Sequence, residues 1–311
     1  MKYIVIILAS LVSATLFAQS NKNVQSIPTF VYDSTANFLG KNAAGYTGQE
    51  LFLKGLDKSS QAYGYSGFIL KYKKDDNLLN DEKNIYKPND NYNSRYDDLA
   101  HKYFHVLEVM QHPKAQTNGN GSTDEFYLKL QELSSGDIMY YKYDINSEFT
   151  FPFIVRGFFE KQKQLLRGKE FVISDDVLKL SRDLVTRKAI VFTTGDVWKC
   201  IDVDIDNTNN ELSLIIQNKK GLKTTISYSL LHEEGIKKVY TASEAEALTK
   251  KYNINNFRRI LQNKIRTGMT KEMTRLAWGE PTEIKEAGKT EQWTYPAGQL
   301  TFSGDKIIST K

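Results

Sequence analysis

The residues of this chain that could do chemistry are four histidines, one cysteine and a few acidic runs, and their spacing limits what that chemistry would be. His101 and His105 stand four apart in "YDDLAHKYFHVLEV"; on a helix that spacing puts both imidazoles on one side, as in a zinc pair. The glutamate that a metalloprotease helix carries between them is missing, and the stretch after His101 alternates like a strand. We therefore read His101, His105, His112 and His232 as surface side chains. The run "DVDIDNTNNE", Asp202 to Glu211, opens with acids at its first, third and fifth places like a calcium loop. It lacks the glycine at the sixth place and the bidentate glutamate at the twelfth, so a polar hairpin end is expected, with adventitious calcium as the other reading. Cys200, in the strand-like "VWKCIDV", has no histidine nearby in sequence to activate it and reads as a small buried hydrophobe. Asp175 and Asp176 are adjacent carboxylates with no evident cause of shifted acidity. A glycine-rich phosphate loop, a Gly-x-Ser-x-Gly elbow and a Ser-His-Asp set are all missing. The expectation is a protein that is not an enzyme and uses no metal or cofactor.

The elements that must carry these residues are mostly strands, and they recur. "YFHVLEV" (Tyr103 to Val109) matches "VWKCIDV" (Val197 to Val203), "EFYLKLQ" (Glu125 to Gln131) matches "ELSLIIQ" (Glu211 to Gln217), and "GDIMYYKY" (Gly136 to Tyr143) matches "GLKTTISY" (Gly221 to Tyr228). The order is kept, "TGQELFL" and "RGKEFVI" precede the two copies, and period-two alternation with "SSGD" and "NKKG" turns makes each copy a β-meander. Short strands in units this small favour barrels whose closure hides their edges. Two architectures fit: two small SH3-like antiparallel barrels in tandem, over 19–160 and 161–238, or one continuous sandwich. The likeness to bacterial SH3-like domains is one of pattern alone. Between the copies, "FTFPFIVRGFFEKQKQLLRGK" reads as a strand followed by a short linker. Its Phe149, Phe151, Phe153, Phe158 and Phe159 suit core packing, or else an interaction patch through which copies of the chain associate.

After "SYSLLHEEG" the period changes to helix. "TASEAEALTKKY" offers Ser243 as N-cap with Glu246 three residues on, and "INNFRRILQNKI" carries Phe257, Ile260, Leu261 and Ile265 as one stripe. In "GMTKEMTRLAWGEP", Gly268 permits a sharp exit, Thr270 caps the next helix with Glu272 in its first turn, Gly279 ends it and Pro281 prevents its resuming. Met273, Leu276 and Trp278 are expected to pack on the next four strands, which are separated by Ala-Gly, Pro-Ala-Gly and Ser-Gly-Asp turns. Gly268, Met269, Thr270, Trp278, Gly279, Pro281, Trp293, Tyr295 and Phe302 together resemble the BamE-like (SmpA/OmlA) family, over about residues 255 to 311. The resemblance implies an envelope-facing, non-enzymatic α+β domain of ααββ(β) order, so the chain is expected to be mostly β with an α+β C-terminal domain over 239–311.

"MKYIVIILASLVSATLFAQS" puts Lys2 before an apolar run ending at Ala18, the grammar of a signal peptide over 1–18 cleaved after Ala18; an uncleaved anchor is the alternative. The run is short for a membrane span. With Cys200 the one cysteine, no site for a lipid exists near that cleavage and no internal disulfide can form. The net charge of +5 comes from 42 basic and 37 acidic residues in mixed-sign runs such as "LKYKKDDNLLNDEK", so no nucleic-acid partner is expected. The expectation is a protein of the periplasm or extracellular space of a Gram-negative envelope, a binding or scaffold module whose partner is an envelope protein or a cell-wall component. An accessory or hydrolase of peptidoglycan is the alternative.

Overall fold

In a computed structural model the chain is described over residues 32–72, 81–111, 125–208 and 210–311. The apolar run with its expected cleavage after Ala18, and His112, lie outside the described residues. β1 (Glu50–Leu53), β2 (Phe68–Ile69), β3 (Tyr103–Gln111), β4 (Glu125–Glu132), β5 (Ile138–Asp144) and β6 (Phe153–Val155) form an antiparallel sheet in the order β2-β5-β4-β3-β1-β6, with α1 (Tyr96–Leu99) before β3. The alternation that defines β3 and β4 in the sequence sends Phe104, Val106, Leu128 and Leu130 into one core with Leu51, Leu53 and Phe153. Each such side chain contributes about 1.5–3 kcal/mol over its exposed state. A second cluster, Ile69, Ile85 and Tyr127, covers part of the opposite face.

α2 (Arg156–Leu166) leads to a second sheet of β7 (Glu170–Ile173), β8 (Val197–Asp206), β9 (Glu211–Asn218), β10 (Lys223–Ser227) and β11 (Val239–Thr241), with α3 (Asp175–Lys179) in the β7–β8 connection. Its order, β10-β9-β8-β7-β11, is that of β5-β4-β3-β1-β6. The register is also shared. Glu50, Leu51 and Phe52 face His105, Phe104 and Tyr103, as Glu170, Phe171 and Val172 face Lys199, Trp198 and Val197. Each long strand has a bulge at the same aligned place, Leu107 in β3 and Ile201 in β8, and the added twist curls both sheets over their cores.

Among the described residues neither sheet closes into a barrel; both are open. Closure needs the two outer strands to pair, and other segments take those edges. β2 occupies the free edge of β5, and beside β10 the Leu184 N–H donates to the Lys223 carbonyl while the Asp183 carboxylate accepts from the Lys223 N–H. The second sheet runs through Thr241, past the boundary expected at 238, and the expected linker after Phe153 is the helix α2, which spans the boundary expected at 160. "RGFFEKQKQLL" is built of long unbranched and aromatic side chains around Gly157, without a β-branched residue to resist the helix.

The last unit consists of α4 (Ala242–Tyr252), α5 (Ile254–Leu261), α6 (Lys271–Trp278) and a meander of β12 (Glu283–Ala287), β13 (Thr290–Tyr295), β14 (Gly298–Ser303) and β15 (Lys306–Thr310). α4 starts two residues earlier than the sequence suggests. Thr241 caps it and Glu244 returns a carboxylate to the Thr241 N–H, a capping box set by the end of β11; Glu246 instead pairs with Lys250. α5 buries Phe257, Ile260 and Leu261, and the chain leaves the helix before Ile265, which packs on the core from the loop. The whole is a mixed α/β, strand-rich chain of several antiparallel sheets, and among the described residues no helix is long and apolar enough to cross a membrane.

Candidate functional site

α2 is the element that joins the two sheets. Arg156, Phe159, Glu160 and Lys163 recur at three- and four-residue steps, which places them on one side of the helix. Lys163 reaches the second sheet, where its Nζ lies 3.0 Å from Asp202 Oδ1, beside the β8 bulge, and 5.6 Å from the Phe159 ring centroid. Burial opposes the charge of Asp202, but the Lys163 ammonium and the Val203 N–H outweigh it and hold the carboxyl below its ordinary value.

The same side of α2 closes a cleft of about 400 Å³. Its floor is Phe52 of β1, Ile154 of β6 and Tyr103 of β3, with the Phe52 and Tyr103 rings 5.1 Å apart; its walls are Leu133, Phe159 and Ile205 from the tip of β8. Arg156 and Glu50 pair across one rim, and Glu160 stands one helical turn further on. Tyr103 and Leu133 are exposed although apolar. An apolar floor with a few charged rim groups suits the capture of an apolar side chain or short segment whose polar ends meet Arg156 and Glu160. On the other side of α2, Phe158 meets Tyr228 edge-on at 6.0 Å above a larger opening of about 700 Å³, which also borders Phe38, Glu148 and His232.

The residues singled out from the sequence fall in two places. Of the phenylalanine cluster, Phe151, Phe153 and Phe158 are buried, Phe159 is half-buried in the cleft wall, and Phe149 is 97% exposed, so the five do not share one surface. The C-terminal set gathers in one core. Gly268 to Thr270 runs beside β15, where the Gly268 N–H donates to the Ile307 carbonyl and the Ile307 N–H to the Met269 carbonyl. Gly268 does this at φ +86, a left-handed conformation that a side chain resists. Thr270 accepts from the Met273 N–H at the start of α6. Trp293 and Phe302 meet with tilted rings 4.6 Å apart in the same core as Met269, and Trp278 donates from Nε1 to the Asn263 carbonyl at 2.8 Å while meeting Tyr295 edge-on. Gly279 accepts at its carbonyl from the Tyr295 hydroxyl and ends α6 just before Pro281.

The residues weighed for chemistry stay apart. His105 lies in β3, His101 stacks on Phe52 and His232 meets the Tyr228 ring, and no group of three metal-ligating side chains occurs among the described residues. Cys200 is buried in β8, where burial first and the Asp202 charge second push its thiol up to about 11, away from nucleophilic character. The cleft residues Glu50, Phe52, Tyr103, Leu133, Ile154, Arg156, Glu160 and Ile205 were not singled out from the sequence, since they come from five separate segments. Their one local trace is the helical spacing of Arg156, Phe159 and Glu160. No family model, curated protein or solved structure matches the chain.

Proposed function

We propose that this chain is an exported, non-enzymatic binding or scaffold protein of the cell envelope, two SH3-like β modules followed by a BamE-like α+β domain. The cleft under α2 is where it receives a segment of an envelope partner. The observation that carries this reading is the position of the cleft: it opens at the joint of two sheets that share strand order, register and bulge, with one wall from each sheet. Tandem modules clamped by a helix hold such a groove in a fixed shape, which lowers the ordering cost of binding. The signal-peptide grammar of the first 18 residues supports export, and the Gly-Met-Thr to Phe302 motif, gathered in one core, supports the BamE-like reading.

The test is site-specific photocrosslinking in envelope fractions, with the crosslinker at Tyr103 or Leu133 and a control at Lys285 on the last sheet. A defined protein adduct or muropeptide adduct formed from the cleft positions and not from Lys285 is expected. The same products from all three positions, or muralytic activity in the purified protein, would overturn the reading.

A further inference from the structure

The β7–β8 connection presents a second surface, unrelated to the cleft. After α3 the chain folds back on itself: Arg182 bridges Ala189, the Ile190 N–H donates to the Ser181 carbonyl, and the Asp183 N–H to that of Lys188. This strap lies along β10, tied by Leu184 and Asp183 to Lys223. Its inward side chains are Asp183 and Ile190, both buried. The outward ones are of two kinds. Leu180, Val185 and Val191 are 89%, 76% and 73% exposed, among the most exposed large apolar side chains described. Around them stand Lys179, Arg182, Arg187 and Lys188, all exposed. The strap's one acid, Asp183, is consumed internally: its carboxylate accepts from the Thr186 N–H, the Thr186 hydroxyl and the Lys223 N–H. The outer surface of the strap is therefore cationic without a compensating carboxylate of its own, while Lys219 and Lys220 at the β9–β10 turn share a recess with Asp196.

We infer that this strap docks the protein on an anionic phospholipid surface, with Leu180, Val185 and Val191 entering the interface and Lys179, Arg182, Arg187 and Lys188 meeting the phosphates. The charge fits such a surface, because clustered Lys and Arg are drawn to anionic headgroups within a Debye length. The shape favours lipid over an acidic protein. Three highly exposed aliphatic side chains spread along the strap would each need a matching hollow on a protein, whereas the headgroup boundary yields around them and accepts Lys and Arg beside them.

The test uses the chain from Gln19, which keeps every described element and leaves out the apolar N-terminal run. Co-sedimentation is measured with phosphatidylcholine vesicles and with vesicles containing phosphatidylglycerol, at low and high salt. Binding to the anionic vesicles, weakened by salt, is expected. The variants Arg182→Glu/Arg187→Glu and Leu180→Ser/Val185→Ser/Val191→Ser should each weaken it by about tenfold or more. All five side chains are exposed, so unchanged melting is expected and serves as the check that both variants fold. A Tyr103→Glu variant in the cleft should bind vesicles as the parent does, which separates this inference from the cleft reading. Equal binding to neutral vesicles, no binding to anionic vesicles at low salt, or undiminished binding by both variants would overturn it. Capture of soluble polyglutamate in place of vesicles, lost in the same variants, would overturn it in favour of an acidic protein.

Discussion

Glu132 and Asn218 cap the same hairpin turn in the two copies of the sheet. Glu132 faces Phe104 and accepts from the Ser134 and Ser135 N–H groups; Asn218 faces Trp198 and accepts from the Lys220 and Leu222 N–H groups. One cap is charged and the other neutral, so acid should separate them. Burial opposes the Glu132 charge, but the hydroxyl and N–H groups of Ser134 and Ser135 outweigh it and hold the carboxyl at about 2. A carboxyl with a folded value below its unfolded one, about 4.3, adds stability that is present above that unfolded value and lost as pH falls toward the folded one. The first hairpin is expected to loosen between about pH 4 and 2 while the second holds. Amide exchange at Ser134 and Ser135 against Lys220 and Leu222 reads this directly. Glu132→Gln should cost about 1.5 kcal/mol at neutral pH and remove the difference.

Thr241 is where the second sheet ends and the last unit begins. Its hydroxyl accepts from the Glu244 N–H and its own N–H donates to Glu244, so one residue closes β11 and opens α4. Thr241→Ala should cost about 1 kcal/mol. Ser243→Ala, at the cap the sequence pattern favours, should change stability by less than about 0.5 kcal/mol. Urea unfolding of the two variants decides between the caps, and the reverse ranking would place the helix start at Ser243.

What the sequence discloses and what it hides differ by range. The strands of both copies, and the four C-terminal strands with turns at Gly288, Pro296-Ala297 and Gly304, are legible because alternation and turn chemistry are local. α2 is masked by aromatic density: "VRGFF" looks like strand until Arg156, Phe159, Glu160 and Lys163 are counted at helical spacing. Whether the sheets close is not local at all. It depends on which segment takes the β10 edge, and the Leu184 to Lys223 hydrogen bond that decides it joins residues far apart in the chain. The cleft is hidden for the same reason, since Ile205 lines one opening with Phe52 and Tyr103 only after both sheets have formed.

Trp278 ties α6 to both the preceding loop and the following sheet. Its indole N–H reaches the Asn263 carbonyl, and its ring stands at 72° to Tyr295 at 5.3 Å. Trp278→Ala should lower stability by about 3 kcal/mol. Trp278→Phe keeps the ring contact and loses the hydrogen bond, for about 1 kcal/mol. Trp293, 1% exposed and packed on Phe302, is the reference, and its alanine variant should cost at least as much as Trp278→Ala. Chemical denaturation of the three variants gives the ranking; no loss in Trp278→Ala would mean that the indole faces a partner instead of the fold.

Phe158 and Tyr228 decide whether the two sheets act as one body. Phe158 of α2 is buried in the first core, while Tyr228, which follows β10, packs against both cores, and their rings meet at 88°. Truncating either should destabilise by about 3 kcal/mol, because a ring is removed from a packed joint. The pair should also couple, since an edge-on aromatic contact adds about 0.5–1.5 kcal/mol beyond the area it buries. A double-mutant cycle of Phe158→Ala and Tyr228→Ala isolates that part, and a coupling near 1 kcal/mol is expected. Additivity within about 0.3 kcal/mol would mean that the rings do not meet in solution.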